Sequence, residues 1–456
     1  MQQAHATDAR LGDYIARNLD RYVEELSAFA RIPSVAAHRT GIGDAVAFVR
    51  AAFERRGFAT RAVATRGNPV VVAEAGAGAR SVLLYNHYDV QPAEPLAQWT
   101  TPPFEPALRG GALYARGAID DKGELIARLA ALDALLAVHG ALPLRVVAAV
   151  EGEEEIGSPN LEAFVAENAE ALRADACIWE AGTVDDDGRP HLWLGVRGIA
   201  YVELVARTLS HDAHSGWAHV LPNAAWRLVH ALSTLKDERD EITIAGIGDG
   251  VLPPTAAQER LLAAMPNEDA DYAREYGLRG LAGGRTGLAA RRMLFRPTCN
   301  ISGIWSGYQG DGTKTVIPGE ARAKLDFRLV PDQDPDAVVR ALRAHLDAHG
   351  FGDVEVVHAE GQRAAVADPD HPFIALATRV ARAVYGAEPV VAPIVGGTGP
   401  ARFFLEHLGT PFVSIGCSYP GGRKHAPDEN VRLADFVRGA TCIAQVLAAF
   451  AEQSAA

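Results

Sequence analysis

The apolar run 145–150 breaks off into three successive carboxylates, Glu153, Glu154 and Glu155. A run this short and this hydrophobic reads as a strand covered on both faces. Acidic groups set beside such a core need something positive to receive them. The pattern recurs along the chain. Residues 83–86 run into His87 and Asp89, residues 176–179 run into Glu180, and residues 411–416 are followed by a loop carrying His425. In an open α/β sheet, ligands collect in the crevice beyond the carboxyl ends of the strands. Four strand ends bearing imidazole and carboxylate therefore predict one shared metal site and the chemistry of a metallohydrolase.

With 456 residues the chain exceeds what one hydrophobic core organises, so two domains are expected. A net charge of −13 supplies no basic stripe and argues against nucleic acid as a partner. No stretch of signal-peptide character or membrane-spanning length is apparent, and the default expectation is a cytoplasmic protein with no membrane partner. Cys177, Cys299, Cys417 and Cys442 are widely separated, which predicts buried thiols rather than a disulfide framework. Five lysines stand against 39 arginines, and three of the five, Lys122, Lys314 and Lys424, fall in the segments singled out here. A retained Lys in such a background hints that a compact ammonium is wanted.

Helix-like spacing covers 9–31, 43–56, 124–139 and 160–172, with strands at 69–74, 81–86, 144–150 and 175–179, and a Pro- and Gly-rich loop at 91–118. That alternation predicts a largely parallel sheet with helices on its faces. After Arg197 the order becomes strand 199–208, helix 223–235, strands 299–308 and 320–330, helix 334–349 and strand 354–359, with 238–297 as an insertion. This βαββαβ order is the ferredoxin-like arrangement. In 320–330, Ala321, Ala323, Leu325, Phe327 and Leu329 alternate with Arg322, Lys324, Asp326 and Arg328, so one sheet face is expected to be covered and one open. From 370 the α/β pattern returns, with helices 372–385, 400–408 and 433–451 and strand 411–416. The expected organisation is a catalytic domain, 1–197 and 365–456, interrupted by a second domain, 198–364.

The candidate ligand set is His87, Asp120, Glu155, Glu180 and His425. Two imidazoles and three carboxylates suit Zn2+, with Mn2+ or Co2+ as alternatives. Three carboxylates together with a shared hydroxide balance two divalent ions, whereas one ion would leave the cluster net negative. Asp120 lies in the turn Arg116-Gly117-Ala118-Ile119-Asp120-Asp121-Lys122-Gly123, where its two oxygens can bridge a pair of ions. Asp89 is placed to accept the second ring N–H of His87. Glu154, next to a ligand, is the expected proton carrier, although an isolated acidic triplet is more often a solvated helix start. His214 reads equally as a transition-state donor or a loop histidine. Arg328 reads as a carboxylate clamp or a solvated strand residue, and Gly396-Gly397-Thr398-Gly399-Pro400 as an anion-binding turn or a plain one. His5, His38, His139, His345 and His349 are expected at the surface.

His87-Tyr88-Asp89-Val90-Gln91-Pro92, the turn 116–123 and Glu151-Gly152-Glu153-Glu154-Glu155-Ile156-Gly157-Ser158 resemble metallopeptidase family 20. Lys314-Thr315-Val316-Ile317-Pro318 and Arg328-Leu329-Val330-Pro331 look like its carnosinase-type dipeptidase branch. The resemblance implies a lid domain that also forms a homodimer. It implies one ion on His87, Asp120 and Glu180 and a second on Asp120, Glu155 and His425, with Glu154 as general base. It also implies oxyanion stabilisation by His214 and contacts to a substrate carboxylate from Arg328 and Thr398; Gly397 and Thr315 are further expected substrate-binding residues. A peptidase acting on small peptides is the expected activity. At position 180 dipeptidases of this kind more often carry Asp, and deacylases and carboxypeptidases Glu. N-acyl or N-carbamoyl amino-acid hydrolysis is therefore the alternative.

Overall fold

In the computed structural model, which describes residues 8–453 (the side chains of 358–360 excepted), the chain forms two compact units. The first takes the chain up to Leu194, Ala367–Pro393 and the chain from Pro400; the second takes Gly195–Val366 and Ile394–Gly399.

A nine-stranded mixed sheet organises the first unit. Its four central strands, Arg145–Glu151, Ser81–His87, Ala176–Trp179 and Phe412–Ser414, are adjacent in that order and run parallel. Antiparallel partners flank them, Val70–Ala75 on one side and Pro190–Trp193 on the other. Residues 82–87 are buried without a break, as a strand covered on both faces must be. The helix Lys122–His139 is buried continuously from Lys122 to Leu132 and ends at Gly140 in the left-handed conformation glycine favours. It packs against Leu433–Ala451, Ala9–Arg17 and Leu19–Ala30.

Several expectations are corrected in this unit. The predicted helix 9–31 is two helices, because the Asn18 side chain donates to Tyr14 O at 2.8 Å and competes with the backbone ladder. The predicted helix 160–172 breaks likewise at Asn168, whose amide donates to Phe164 O. The loop 91–118 contains two short strands, Ala107–Arg109 and Ala112–Tyr114, the second paired with Asn430–Arg432. Ala59–Val63, Pro190–Trp193 and Val390–Ala392 are strands that periodicity did not reveal. Leu433–Ala451 does have the length and apolar composition of a membrane span, and 67% of that window is buried inside the protein as a core helix.

In the second unit a four-stranded antiparallel sheet has the order Asn300–Ser306, Glu320–Leu329, Gly198–Arg207, Glu355–Gln362. This is the ferredoxin-like order expected from the element sequence. Ala321, Ala323, Leu325, Phe327 and Leu329 are buried, and they join Leu228 and Leu342 from the helices Ala224–Leu232 and Pro335–Ala348 in one core. The insertion folds as short helices, and its Leu262 and Phe295 pack with Ile394, from the segment Ile394–Gly399, in a small separate core. His345 is buried, contrary to expectation: it follows Val338 and Leu342 on the inner stripe of its helix and hydrogen-bonds Thr234 Oγ1 at 3.0 Å. His38, His139 and His349 are exposed, and His5 lies outside the described residues. All four cysteines are buried and free.

Candidate metal centre

His87 is the last residue of its strand and stands opposite Glu151 of the neighbouring strand. Glu180 directly follows Ala176–Trp179, and Glu154 and Glu155 form a short helical turn just after Arg145–Glu151. Three adjacent parallel strands thus deliver their carboxyl ends to one place. Asp120 arrives from the turn before the helix Lys122–His139, and His425 from a loop in which its φ is 60°.

The Asp120 carboxylate is the centre of the arrangement. Its Oδ1 lies 3.3 Å from His87 Nε2, which is also 3.7 Å from Glu180 Oε2. Its Oδ2 lies 3.1 Å from His425 Nε2, which is also 3.2 Å from Glu155 Oε2. One carboxylate thus faces a separate histidine–glutamate pair with each oxygen. Ligand atoms of His87, Asp120 and Glu155 fall within 4.8 Å of one another, and so do those of His87, Asp121 and Glu180. Glu155 Oε1 and Glu180 Oε2 are buried without a hydrogen-bond partner among the described residues. Orphaned carboxylate oxygens in a concentrated anionic cluster fit divalent cations, and the nitrogen and oxygen donors match zinc-type ions.

Electrostatics agree with that fit. Burial raises the Glu180 carboxyl well above the ordinary range, and the charge of Glu154 adds to it against the opposing pull of His87. Burial also raises Glu154, His87 again opposing and Glu155, Asp120 and Asp89 adding. Burial alone would lower His87, but hydrogen bonds to Asp120 and Asp89 reverse it and hold the imidazolium well above its usual value. Asp120 is held low against its burial by Lys424 and the two histidines.

Several of these groups are themselves held. Asp89 Oδ1 lies 3.3 Å from His87 Nδ1, and the Asp89 carboxylate also accepts the N–H groups of Glu154 and Glu155. Asp89 therefore fixes both the imidazole and the acidic turn. Glu153 faces away from the cluster and accepts Asn68 N and Asn160 Nδ2. After Glu180 the chain turns through Ala181 (φ 61°) and Gly182 (φ 114°), where a Cβ at 182 would stand 2.3 Å from Gly416 N. Only glycine permits that approach.

Several supports were not singled out from the sequence. Glu429, with no exposure, accepts from Arg116 Nη1 at 2.6 Å and from the backbone N–H groups of Gly117, Ile119 and Asp120 at 3.0 Å each. Gln91 Nε2 donates to Glu155 Oε2 at 2.9 Å. Asp121 accepts from Asn86 Nδ2 and His87 N, and burial pushes its carboxyl up to about 7. A buried Glu124–Arg128 pair ties the helix start to Cys417 N and Trp179 O. Of the three lysines, Lys424 bears on Asp120 electrostatically, whereas Lys122 Nζ donates to the carbonyls of Phe29 and Ile32 and is an anchor. Lys314 is exposed beside Tyr308.

The remaining site candidates belong to the second unit. His214 is exposed and accepts Gly216 N through Nδ1 at 3.0 Å. Ala213–His214 pairs with Val316–Ile317, and exposed Thr315 offers its carbonyl to Ser215 N. Arg328 Nη1 donates to Thr398 Oγ1 at 2.6 Å, and Gly397 precedes Thr398 on an exposed turn.

Residues 83–449, from the strand carrying His87 to the last helix, match the family described as Peptidase family M20/M25/M40. The chain belongs to that family. As an M20 member it is a metallopeptidase, a hydrolase. It is 28% identical to the Cys-Gly metallodipeptidase dug1 of Schizosaccharomyces pombe, over 94% of this chain and 95% of that protein. Among solved structures, the M20 family metallo-carboxypeptidase Sso-CP2 from Sulfolobus solfataricus is 35% identical with a TM-score of 0.90, covering 95% of this chain and 100% of that one. Human carnosine dipeptidase 1 is 26% identical with a TM-score of 0.81, covering 98% and 100%.

Proposed function

We propose that this M20 enzyme hydrolyses the peptide bond of dipeptides and similarly small peptides bearing a free carboxylate. Two divalent cations, Zn2+ in the first instance, would be held by His87, Asp120 and Glu180 and by Asp120, Glu155 and His425. The carrying observation is that each Asp120 oxygen faces its own histidine–glutamate pair. When bound, such ions polarise the scissile carbonyl and acidify a water. Glu154 takes the proton of the attacking water and delivers it to the leaving amine. Its place in the same turn as the candidate ligand Glu155 suits that role. Asp89 keeps the His87 ring and the Glu154–Glu155 turn in register. His214 donates to the developing oxyanion, while Arg328, Thr398, Gly397 and Thr315 receive the substrate carboxylate.

A homodimer through the second unit is part of this reading. The edge strand Asn300–Ser306 exposes Ile301, Ile304 and Trp305, and the helix Ala224–Leu232 exposes Trp226 and Val229. Apolar edges and patches of this kind are surfaces that partners cover.

Glu180 favours a second reading, hydrolysis of N-acyl or N-carbamoyl amino acids. A panel of alanylalanine, other dipeptides, N-acetyl and N-carbamoyl amino acids, with and without chelator, separates the two. Turnover of dipeptides at least about tenfold faster, abolished by chelator, is expected. Preference for the N-acyl substrates would install the second reading, and indifference to chelator would remove both.

A further inference from the structure

Arg197 opens the second unit with 4% of its surface exposed. Its backbone N–H donates to Gly397 O at 2.7 Å, one residue before Thr398. Its side-chain Nη2 donates to Arg328 O at 2.9 Å and to Arg296 O. A single residue thus grips both segments that supply the Arg328–Thr398 pair. The Arg328 backbone is fixed a second time, through N–H to Thr298 Oγ1 at 3.1 Å and Thr298 N–H to its carbonyl at 3.0 Å.

The charge arrangement is unusual for so buried a group. Among the described residues no carboxylate forms an ion pair with Arg197 or Arg328, although most guanidiniums of this chain have one. Burial, and then the like charge of Arg328, push the Arg197 guanidinium down to about 10. A buried cation without a counter-ion is costly, and two side by side are costlier, unless an anion completes the group. Arg328 is only half-buried, so its free donors remain accessible to that anion.

We propose that Arg197 is a positioning residue for carboxylate recognition. It locks Arg328 and Thr398 into one clamp and contributes the second positive charge, and so sets a preference for substrates ending in a free carboxylate over the corresponding amides. This rests on the reading that Arg328 and Thr398 receive the substrate carboxylate. It adds a residue that reaches the substrate only through others.

The test compares alanylalanine with alanylalaninamide on metal-loaded wild type, Arg197→Lys and Arg197→Gln. Lysine keeps the charge but cannot reach both carbonyls from one planar group. The expected result is an acid-to-amide ratio of kcat/KM that falls at least about tenfold in both variants, through a higher KM for the acid and with kcat nearly constant. Metal content should stay at the wild-type level. Folded variants that keep the wild-type ratio would overturn the proposal, as would a loss confined to kcat. Failure of both variants to fold would make Arg197 a folding residue and overturn it too. A wild type that does not distinguish acid from amide would sink the underlying carboxylate reading instead, which separates the two failures.

Discussion

In the first unit, candidate ligands and their neighbours are held by further groups. Asp89 braces His87, Glu429 cradles the Asp120 turn, and Gln91 holds Glu155. In the second unit Arg328 is held in the same way, by Thr298 and Arg197, but the His214 imidazole accepts the N–H of its own turn and is exposed, as is Thr315. Cations demand ligand atoms fixed to a fraction of an ångström, which strand ends and buried acceptors provide. Groups that meet an incoming substrate must stay accessible. The difference separates residues that build the centre from residues that use it.

Substitutions can break that separation. The largest effect is expected for Glu154→Gln, which should keep its metal while kcat falls by about 10²–10⁴. Near-normal turnover, measured with metal analysis on the same sample, would remove Glu154 from proton transfer. Next, His214→Ala should leave metal content and thermal midpoint unchanged and lower kcat by about 10²–10³, the loss of one oxyanion donor. An unchanged kcat would make it an ordinary turn residue. Glu429→Gln tests the other side. It retains one acceptor oxygen where the carboxylate serves four donors, so metal affinity should weaken by about 10–100-fold. Titration with a competing chelator reads this, and an unchanged affinity would mean that the Asp120 turn holds itself.

The smallest effect concerns protons. In the ion-free cluster, hydrogen bonds to Asp120 and then Glu155 raise the His425 imidazolium to about 10. A ligating imidazole must be neutral, so cation binding near neutral pH should release a proton, and apparent affinity should climb as pH rises toward that value. Calorimetry in buffers of different ionisation enthalpy measures the release. No release would mean that His425 does not ligate.

Much of the first unit's centre was legible because its residues close apolar runs. His87 and Glu180 end strands whose hydrophobicity announces them, and the acidic triplet follows a third. Asp120 was legible from its turn. Glu429 was not, because its donors lie more than 300 residues away and nothing in its own neighbourhood announces them. Gln91 was hidden for the same reason, its partner being 64 residues distant. The two-residue period of 320–330 revealed which face of the second unit's sheet is covered. Asn18 and Asn168 broke helices that apolar spacing alone continued, since spacing carries no information on side chains that compete for backbone carbonyls. His345 had a usable signal, its place on the stripe with Val338 and Leu342, which polarity of the residue type obscured.

The central claim is that Asp120 stands between two cations. Anomalous diffraction from crystals of the zinc-loaded protein tests it most directly. Two peaks per chain, roughly 3.5–4 Å apart with one Asp120 oxygen on each, are expected. A single peak, or a pair that Asp120 does not bridge, would contradict it.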